Sequence, residues 1–159
     1  ALARAAQQNW QLAIAALADA NKLFVIGRGT GLAIAMEAAL KFKETCGIQA
    51  EAFSGAEVKH GPMALVAQGY PMLVFAPRGP AQHSLIALAE EMRGRGARVL
   101  LAAPAGTPGA ELPLVEADHE ELDPICAAQS FYPMVEALAR ARGLDPDVPR
   151  HLAKVTRTN

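Results

Sequence analysis

Residues Leu32–Pro62 read LAIAMEAALKFKETCGIQAEAFSGAEVKHGP and combine a helix, a strand and a capped turn in direct succession. The spacing of apolar residues in the first half predicts a helix that ends near Gly47, since glycine commonly terminates helices. Ile48–Phe53 is a strand candidate. Ser54 and Glu57 then stand at the spacing of a capping box, which predicts a short helix after that strand. A helix, a strand and a second helix in this order are typical of an α/β fold.

Strand and helix patterns alternate along the rest of the chain as well. Apolar runs predict strands at 23–26, 71–76, 98–103 and 114–115. Helical spacing predicts a leading helix within 1–21 and further helices over 81–95 and 123–142. An irregular tail is expected at 144–159. Asp123 is expected to cap the last helix, with Pro124 in its first turn. This alternation predicts one domain over 1–159, an α/β three-layer sandwich with a five-stranded parallel sheet and a flavodoxin-like or Rossmann-like topology. Sheets of this kind bind ligands at the carboxyl ends of their strands.

Composition and charge argue against several classes of function. Aromatic residues make up 5% of the chain and the formal net charge is −1, so neither base-stacking platforms nor a basic field favours nucleic acid or an anionic membrane. No apolar run reaches the length of a membrane span. Cys46 and Cys126 lack CxxC neighbours, so we expect no metal site and no disulfide, but two buried, reduced thiols in a cytoplasmic protein. The chain opens at Ala1 inside a helical pattern, and we expect it to be a piece of a longer protein.

A glycine-containing turn after the first strand invites comparison with a dinucleotide site. Gly27-Arg-Gly-Thr-Gly31 lies between a strand and a helix, but Leu32 stands where the fingerprint needs its third glycine. We therefore expect no nucleotide cofactor, and no other cofactor is predicted. Thr30 is a candidate for contact with a substrate anion at the helix N-terminus, and plain helix capping is its alternative role.

One narrow polar stripe runs along the otherwise apolar helix. At ~100° per residue, Glu37, Lys41 and Glu44 fall within about 60° of one another. The simplest interpretation is a solvated stripe in which Glu37 and Lys41 pair, contributing ~0.3 kcal/mol. The functional interpretation is a carboxylate beside an ammonium in a partly closed site, which suits a general base. His60 precedes a rigid Gly61-Pro62 stop, and is either a solvated side chain or one aimed at a substrate.

Four motifs occurring in order resemble the sugar isomerase (SIS) family. They are LKFKE at 40–44, AEAF at 50–53, EVKHGPMAL at 57–65 and DVPRHLAK at 147–154. More narrowly, the chain resembles the second of two SIS domains in the isomerase part of glucosamine-6-phosphate synthases and in related deaminases. The resemblance implies a five-stranded parallel sheet flanked by helices. It also implies aldose–ketose interconversion of a hexose phosphate, with ammonia added or released.

The resemblance assigns separate roles to the matching residues. Glu44 corresponds to the base that moves a proton between C1 and C2, and Lys41 to a lysine beside that base. His60 corresponds to the histidine of sugar ring opening, which comes from the neighbouring subunit and implies a homodimer. Lys154 corresponds to the tail lysine that reaches the sugar carbonyl, and Ala153 beside it to a substrate-binding position. The chemistry is consistent, because an enediol route needs a base near both carbons.

Two departures from the family pattern refine this interpretation. Residues 76–84 read APRGPAQHS, a loop with one late hydroxyl and two prolines, so we expect the substrate phosphate on the first SIS domain of the same protein. The tail ending in KVTRT resembles the deaminases more than the synthases, which favours conversion of glucosamine-6-phosphate to fructose-6-phosphate. The alternatives are the isomerase half of glutamine–fructose-6-phosphate aminotransferase and, from another class, a non-catalytic sugar-phosphate sensor.

Overall fold

A five-stranded parallel sheet forms the centre of the computed structural model, which describes residues 1–150. Its strands are β1 (Lys22–Gly27), β2 (Gln49–Ser54), β3 (Pro71–Phe75), β4 (Arg98–Pro104) and β5 (Leu112–Leu114). They lie in the order β2-β1-β3-β4-β5, and all neighbours pair in parallel. This is the doubly wound order of flavodoxin-like proteins, so the predicted α/β sandwich is confirmed and its topology is decided.

Helices cover both faces of the sheet. They are α1 (Leu2–Ala5), α2 (Gln11–Leu17), α3 (Gly31–Cys46), α4 (Gln82–Gly94) and α5 (Asp123–Ala141), with short 3-10 turns at Glu57–Lys59, Pro62–Leu65 and Glu120–Leu122. Side chains of β1 alternate between two apolar clusters. Leu23 and Val25 join the cluster under α2, α3 and α5, while Phe24 and Ile26 join the cluster under α4. Burial on both faces explains why this strand is continuously apolar.

The prediction of one continuous leading helix is wrong, because the helix is interrupted between α1 and α2. The Asn9 side chain accepts a hydrogen bond from the Gln11 N–H at 2.9 Å, which favours a turn before α2. Trp10 is 2% exposed and its indole N–H donates to Pro113 O at 3.1 Å. Anchoring the indole against the distant strand β5 therefore takes precedence over the strong local helix propensity of this segment.

The expected capping role of Asp123 is also wrong. Leu122 occupies the cap position of α5, and no side chain caps that end. The Asp123 carboxylate instead accepts two hydrogen bonds from Arg78, both at 2.8 Å, and one from the Ala117 N–H at 2.8 Å. It therefore joins the loop after β3 to the segment before α5.

Candidate functional site

The polar stripe of α3 forms a chain of contacts at the surface. Lys41 Nζ donates to Glu44 Oε2 at 2.7 Å and lies 3.8 Å from Glu37 Oε1. The Tyr132 hydroxyl donates to the same Glu37 oxygen at 3.0 Å. The hydrogen bond to Glu44 is the main cause that raises the pKa of Lys41, so the lysine remains an ammonium at neutral pH. Glu44, rather than Glu37, is thus the principal partner of Lys41.

Helix α5 packs against α3 and contacts the polar stripe. Phe42 of α3 and Phe131 of α5 are fully buried and meet edge to face, with ring centroids 5.2 Å apart. The neighbouring Tyr132 is consequently directed along the outside of α3 toward Glu37. Sequence reasoning missed Tyr132, because nothing in the local pattern shows that α5 packs beside α3.

A cleft of about 450 Å³ opens beside Glu44. One wall is the end of α3, and the other is the segment after α5. The lining residues are Lys43, Glu44, Thr45, Gly47, Gly143, Leu144, Asp145, Val148, Pro149 and Arg150. The Glu44 side chain is 29% exposed, so its carboxylate is accessible to a molecule in the cleft. The cleft combines an accessible carboxylate, an adjacent ammonium and the beginning of the tail.

Glycine allows α3 to stop at the cleft. Gly47 has φ +63°, a left-handed conformation that side-chain-bearing residues adopt at a cost, and the Ile48 N–H returns to Phe42 O at 3.1 Å. This turn sends the chain from α3 directly into β2. It confirms the predicted stop at Gly47 and places Glu44 within one turn of the helix end.

The turn that carries His60 is held by local contacts. The predicted capping box is present, since Glu57 N–H donates to Ser54 Oγ at 3.1 Å and Ser54 N–H donates to Glu57 Oε2 at 2.9 Å. These hydrogen bonds, the backbone one first, hold the pKa of Glu57 below its ordinary value. Val58 is fully buried, and Lys59 pairs with Glu91 of α4 at 2.5 Å. His60 itself is exposed at the end of this turn.

Within one chain, Glu44 and His60 lie at opposite edges of the sheet. Helix α3 runs back from the carboxyl end of β1 to the amino end of β2, and Glu44 is near its far end. Gly31 and Glu44 are thirteen residue steps apart on the α-helix, which corresponds to about 20 Å. His60 follows the carboxyl end of β2 and so shares an edge with Thr30, not with Glu44. The structure therefore brings Lys41 and Glu44 together and separates both from His60 and Thr30. The cleft beside Glu44 consequently lies toward the amino ends of the strands, and not at the carboxyl ends where a sheet of this kind is expected to bind its ligand.

Thr30 occupies the N-cap position of α3, but its side chain makes no capping hydrogen bond. A smaller pocket of about 290 Å³ lies beside it at the carboxyl edge, and Arg28, Arg78, Glu120 and Glu121 contribute to its lining. The Arg78 donors that face Asp123 and Ala117 O are already engaged within the chain. The lining thus holds two arginines, Arg28 and the partly engaged Arg78, against two carboxylates, so it carries no net positive charge to attract a phosphate group.

Lys154 and Ala153 lie outside the described residues. Arg150 is the last described residue, and it contributes to the lining of the cleft beside Glu44.

Metal-binding and membrane-spanning features are absent from the same part of the chain. Residues 1–150 hold no cluster of three or more His, Cys, Asp and Glu side chains suited to a metal ion. In that range, none of the helices combines the length and the apolar character needed to cross a membrane.

Comparison with known proteins complements this geometry. The sequence profile of the SIS domain family matches residues 16–108. Glutamine–fructose-6-phosphate aminotransferase (isomerizing) of Aeropyrum pernix is 43% identical over 145 residues, which cover 87% of this chain and 23% of that relative. The chain spans about a quarter of the length of the curated relatives that it matches.

Solved structures share the fold across nearly the whole chain. A protein assigned as a phosphosugar isomerase from Silicibacter pomeroyi superposes with a TM-score of 0.81 at 43% identity, covering 91% of this chain and 44% of that one. The C-terminal domain of glucosamine-fructose-6-phosphate aminotransferase from Francisella tularensis superposes with a TM-score of 0.73 at 26% identity, covering 91% of this chain and 41% of that one.

Proposed function

The chain belongs to the SIS domain family, and from that membership we propose that it supplies the base-bearing half of an enzyme that isomerises an amino-sugar phosphate. The observation that carries the proposal is the Lys41–Glu44 pair, in which Nζ and Oε2 are 2.7 Å apart and Glu44 lines the cleft. A charge-assisted hydrogen bond of this length holds a carboxylate in one orientation. Glu44 would move a proton between C1 and C2 of the open-chain sugar.

The tail would complete the cleft from the other side. Lys154 follows Arg150 by four residues, and four extended residues span at most about 14 Å. Lys154 is therefore within reach of a sugar bound beside Glu44, where its amine would polarise the carbonyl or form an imine with it. Ala153 would then lie against the same sugar.

Two partners are needed to complete the site. The pocket beside Thr30 lies at the other end of α3 from Glu44, about 20 Å away, which is too far for the phosphate of a hexose bound beside Glu44. We therefore assign the substrate phosphate to another SIS domain of the full-length protein. His60 lies at the opposite edge of the sheet from Glu44, which supports a role in the site of a second subunit and hence a homodimer. Imidazole groups exchange protons near neutral pH, as the opening of a pyranose ring requires.

The relatives favour amino transfer over deamination as the overall reaction. The Aeropyrum pernix relative, at 43% identity, is an isomerising aminotransferase that uses glutamine and fructose-6-phosphate by its name. We therefore place the aminotransferase ahead of the deaminase, which the tail motif alone favoured. A free-standing phosphosugar isomerase or deaminase is the second candidate. The Silicibacter pomeroyi structure supports it, because this chain covers 44% of that protein and leaves room for one further domain of similar size.

We also expect the protein to act in the cytoplasm. Cys46 and Cys126 are both free and buried, which fits a reducing compartment.

The test uses the full-length protein with fructose-6-phosphate and either glutamine or ammonium, followed by quantification of glucosamine-6-phosphate. Glu44→Gln should lower turnover at least about 100-fold, the usual contribution of a general base. Glu90→Gln, an exposed carboxylate on α4, is the matched control and should keep wild-type turnover. Turnover that survives Glu44→Gln would show that another group is the base.

The same assay separates the alternatives. Product formed from glutamine identifies an aminotransferase. Activity only in the reverse direction, from glucosamine-6-phosphate to fructose-6-phosphate and ammonia, identifies a deaminase. Sugar-phosphate binding by calorimetry without turnover in either direction identifies a sensor and overturns the enzyme proposal.

A further inference from the structure

The guanidinium of Arg142, just after α5, lies where two other helices end. Its Nε donates to Cys46 O at the end of α3, at 2.8 Å. Its Nη1 donates to Ala18 O at 2.6 Å and to Ala20 O at 2.9 Å, both just after α2. Carbonyls at the C-terminus of a helix have no partner within that helix. One side chain therefore supplies donors to the ends of α2 and α3 at once.

The chemical character of arginine suits this position. The C-terminal end of a helix carries a partial negative charge, so a cation is favoured beside it. The planar guanidinium presents its donors in a fixed fork, whereas a lysine ammonium acts as a single point charge on a flexible stem. An arginine can consequently bridge two helix ends and hold them at a set separation.

Both walls of the cleft are connected to Arg142. Cys46, which accepts the Nε hydrogen bond, comes two residues after Glu44 on α3. Gly143 and Leu144, which follow Arg142 directly, line the opposite wall. Leu144 is further tied to α5 by its N–H, which donates to an α5 carbonyl at 2.9 Å. Displacement of the guanidinium would therefore change the separation of the two walls.

We infer that Arg142 is a positioning residue that sets the distance between the Glu44 carboxylate and the segment leading into the tail. The inference rests on the proposed function, because only there do Glu44 and Lys154 act on one sugar. Arg142 acts through the main chain on each side of the cleft and does not touch the substrate. A purely stabilising role is the competing interpretation, and the two differ in their effects on kinetics.

The kinetic test is Arg142→Met in the full-length protein, which keeps the apolar stem and removes every donor. We expect kcat to fall about 10- to 100-fold, because misplacement of a reacting group by 1 Å can cost about that much. The KM for fructose-6-phosphate should stay within about threefold, since the phosphate is bound elsewhere. Arg142→Lys should recover part of the lost kcat, because an ammonium can still bond one of the carbonyls.

Arg140→Met is the matched control. Arg140 lies two residues earlier, near the end of α5; its side chain is 62% exposed and pairs with Glu136. This variant should keep kcat within about twofold of wild type, as expected for an exposed ion pair. Loss of kcat in both arginine variants would point to general damage to α5 and would overturn the positioning role.

Hydrogen–deuterium exchange provides a readout that does not depend on activity. In Arg142→Met, amides at 46–48 and 143–150 should exchange about tenfold faster, with the amides of β3 and β4 unchanged. Unchanged exchange in those two segments overturns the inference whether or not the protein is an isomerase. A wild-type kcat in Arg142→Met, alongside the expected loss in Glu44→Gln, overturns it while leaving the proposed function intact.

Discussion

Replacement of Asp123 by asparagine removes a charge that holds two loops together. The Asp123 side chain is 3% exposed and accepts hydrogen bonds from Arg78 Nε, Arg78 Nη2 and the Ala117 N–H, each at 2.8 Å. Asparagine has nearly the same shape, so the variant opens no cavity. Its amide group, however, must place an NH₂ against one of these donors.

The expected loss of stability follows from burial. Removal of one partner from a buried ion pair typically costs about 3–5 kcal/mol. The Arg78 side chain is 31% exposed and can regain water, so we discount this to about 2–3 kcal/mol for Asp123→Asn. For a domain of this size, that loss lowers Tm by roughly 5–10 °C.

The contribution of Asp123 to the free energy of unfolding should also depend on pH. Burial raises the pKa of Asp123, but hydrogen bonds from Arg78 and from the Ala117 N–H outweigh it and hold the pKa below the ordinary value of 3.8. The unfolded chain therefore takes up this proton first as the pH falls. The stabilisation is complete above about pH 5 and is lost as the pH falls through 3.8 toward the folded-state pKa.

Urea unfolding of the wild type and Asp123→Asn between pH 3 and pH 7 measures both effects. The difference in unfolding free energy should be largest at pH 7 and shrink below pH 4. Glu116→Gln is the control, because Glu116 lies 3.9 Å from Arg78 but is 54% exposed, and should change stability by less than about 0.5 kcal/mol. A difference below about 0.5 kcal/mol for Asp123→Asn at pH 7, or one that grows as the pH falls, would refute this reasoning.

Two further predictions concern glycine positions and a buried thiol. Gly27→Ala should prevent stable folding, because a Cβ atom there would lie 2.1 Å from Gly31 O at the start of α3. Gly94→Ala on α4 is the control: nothing lies within 4 Å of the added atom, so this variant should be neutral or stabilise the protein by about 0.5–1 kcal/mol. Circular dichroism with thermal melts distinguishes the two variants. The Cys46 thiol, whose pKa is raised chiefly by burial, should resist a thiol reagent at pH 8 until denaturant is added. Rapid labelling of native protein at Cys46 would show that α3 opens locally, contrary to its packing on α5.

Most of the fold could be predicted because its elements are encoded locally. The short, continuously apolar run of β1 is typical of a strand buried on both faces, and Gly47 stops α3 by adopting a conformation that other residues avoid. The capping box of Ser54 and Glu57 also depends only on neighbours in the chain. Two local predictions failed where distant groups intervened, at Trp10 and at Asp123.

The candidate site likewise combines features that follow from local sequence with features that depend on tertiary contacts. Helical spacing is sufficient to place Glu37, Lys41 and Glu44 on one stripe. The choice of Glu44 as the main partner of Lys41 reflects tertiary packing, because Tyr132 of α5 takes a Glu37 oxygen. The sequence pattern contained no signal for this, since residue 132 is far from α3 along the chain.

The sequence by itself determined the α/β class, the helix that carries Glu44 and the turn that carries His60, because periodicity, caps and glycine stops act over a few residues. Tertiary structure alone decided that the segment after α5 closes one side of the cleft and that Arg142 joins the ends of α2 and α3. It also placed Glu44 and His60 at opposite edges of the sheet. These relations depend on packing between segments that are distant in the chain. Because protein interiors are close-packed, the fit between two segments depends on the shapes of both, which neither segment encodes alone.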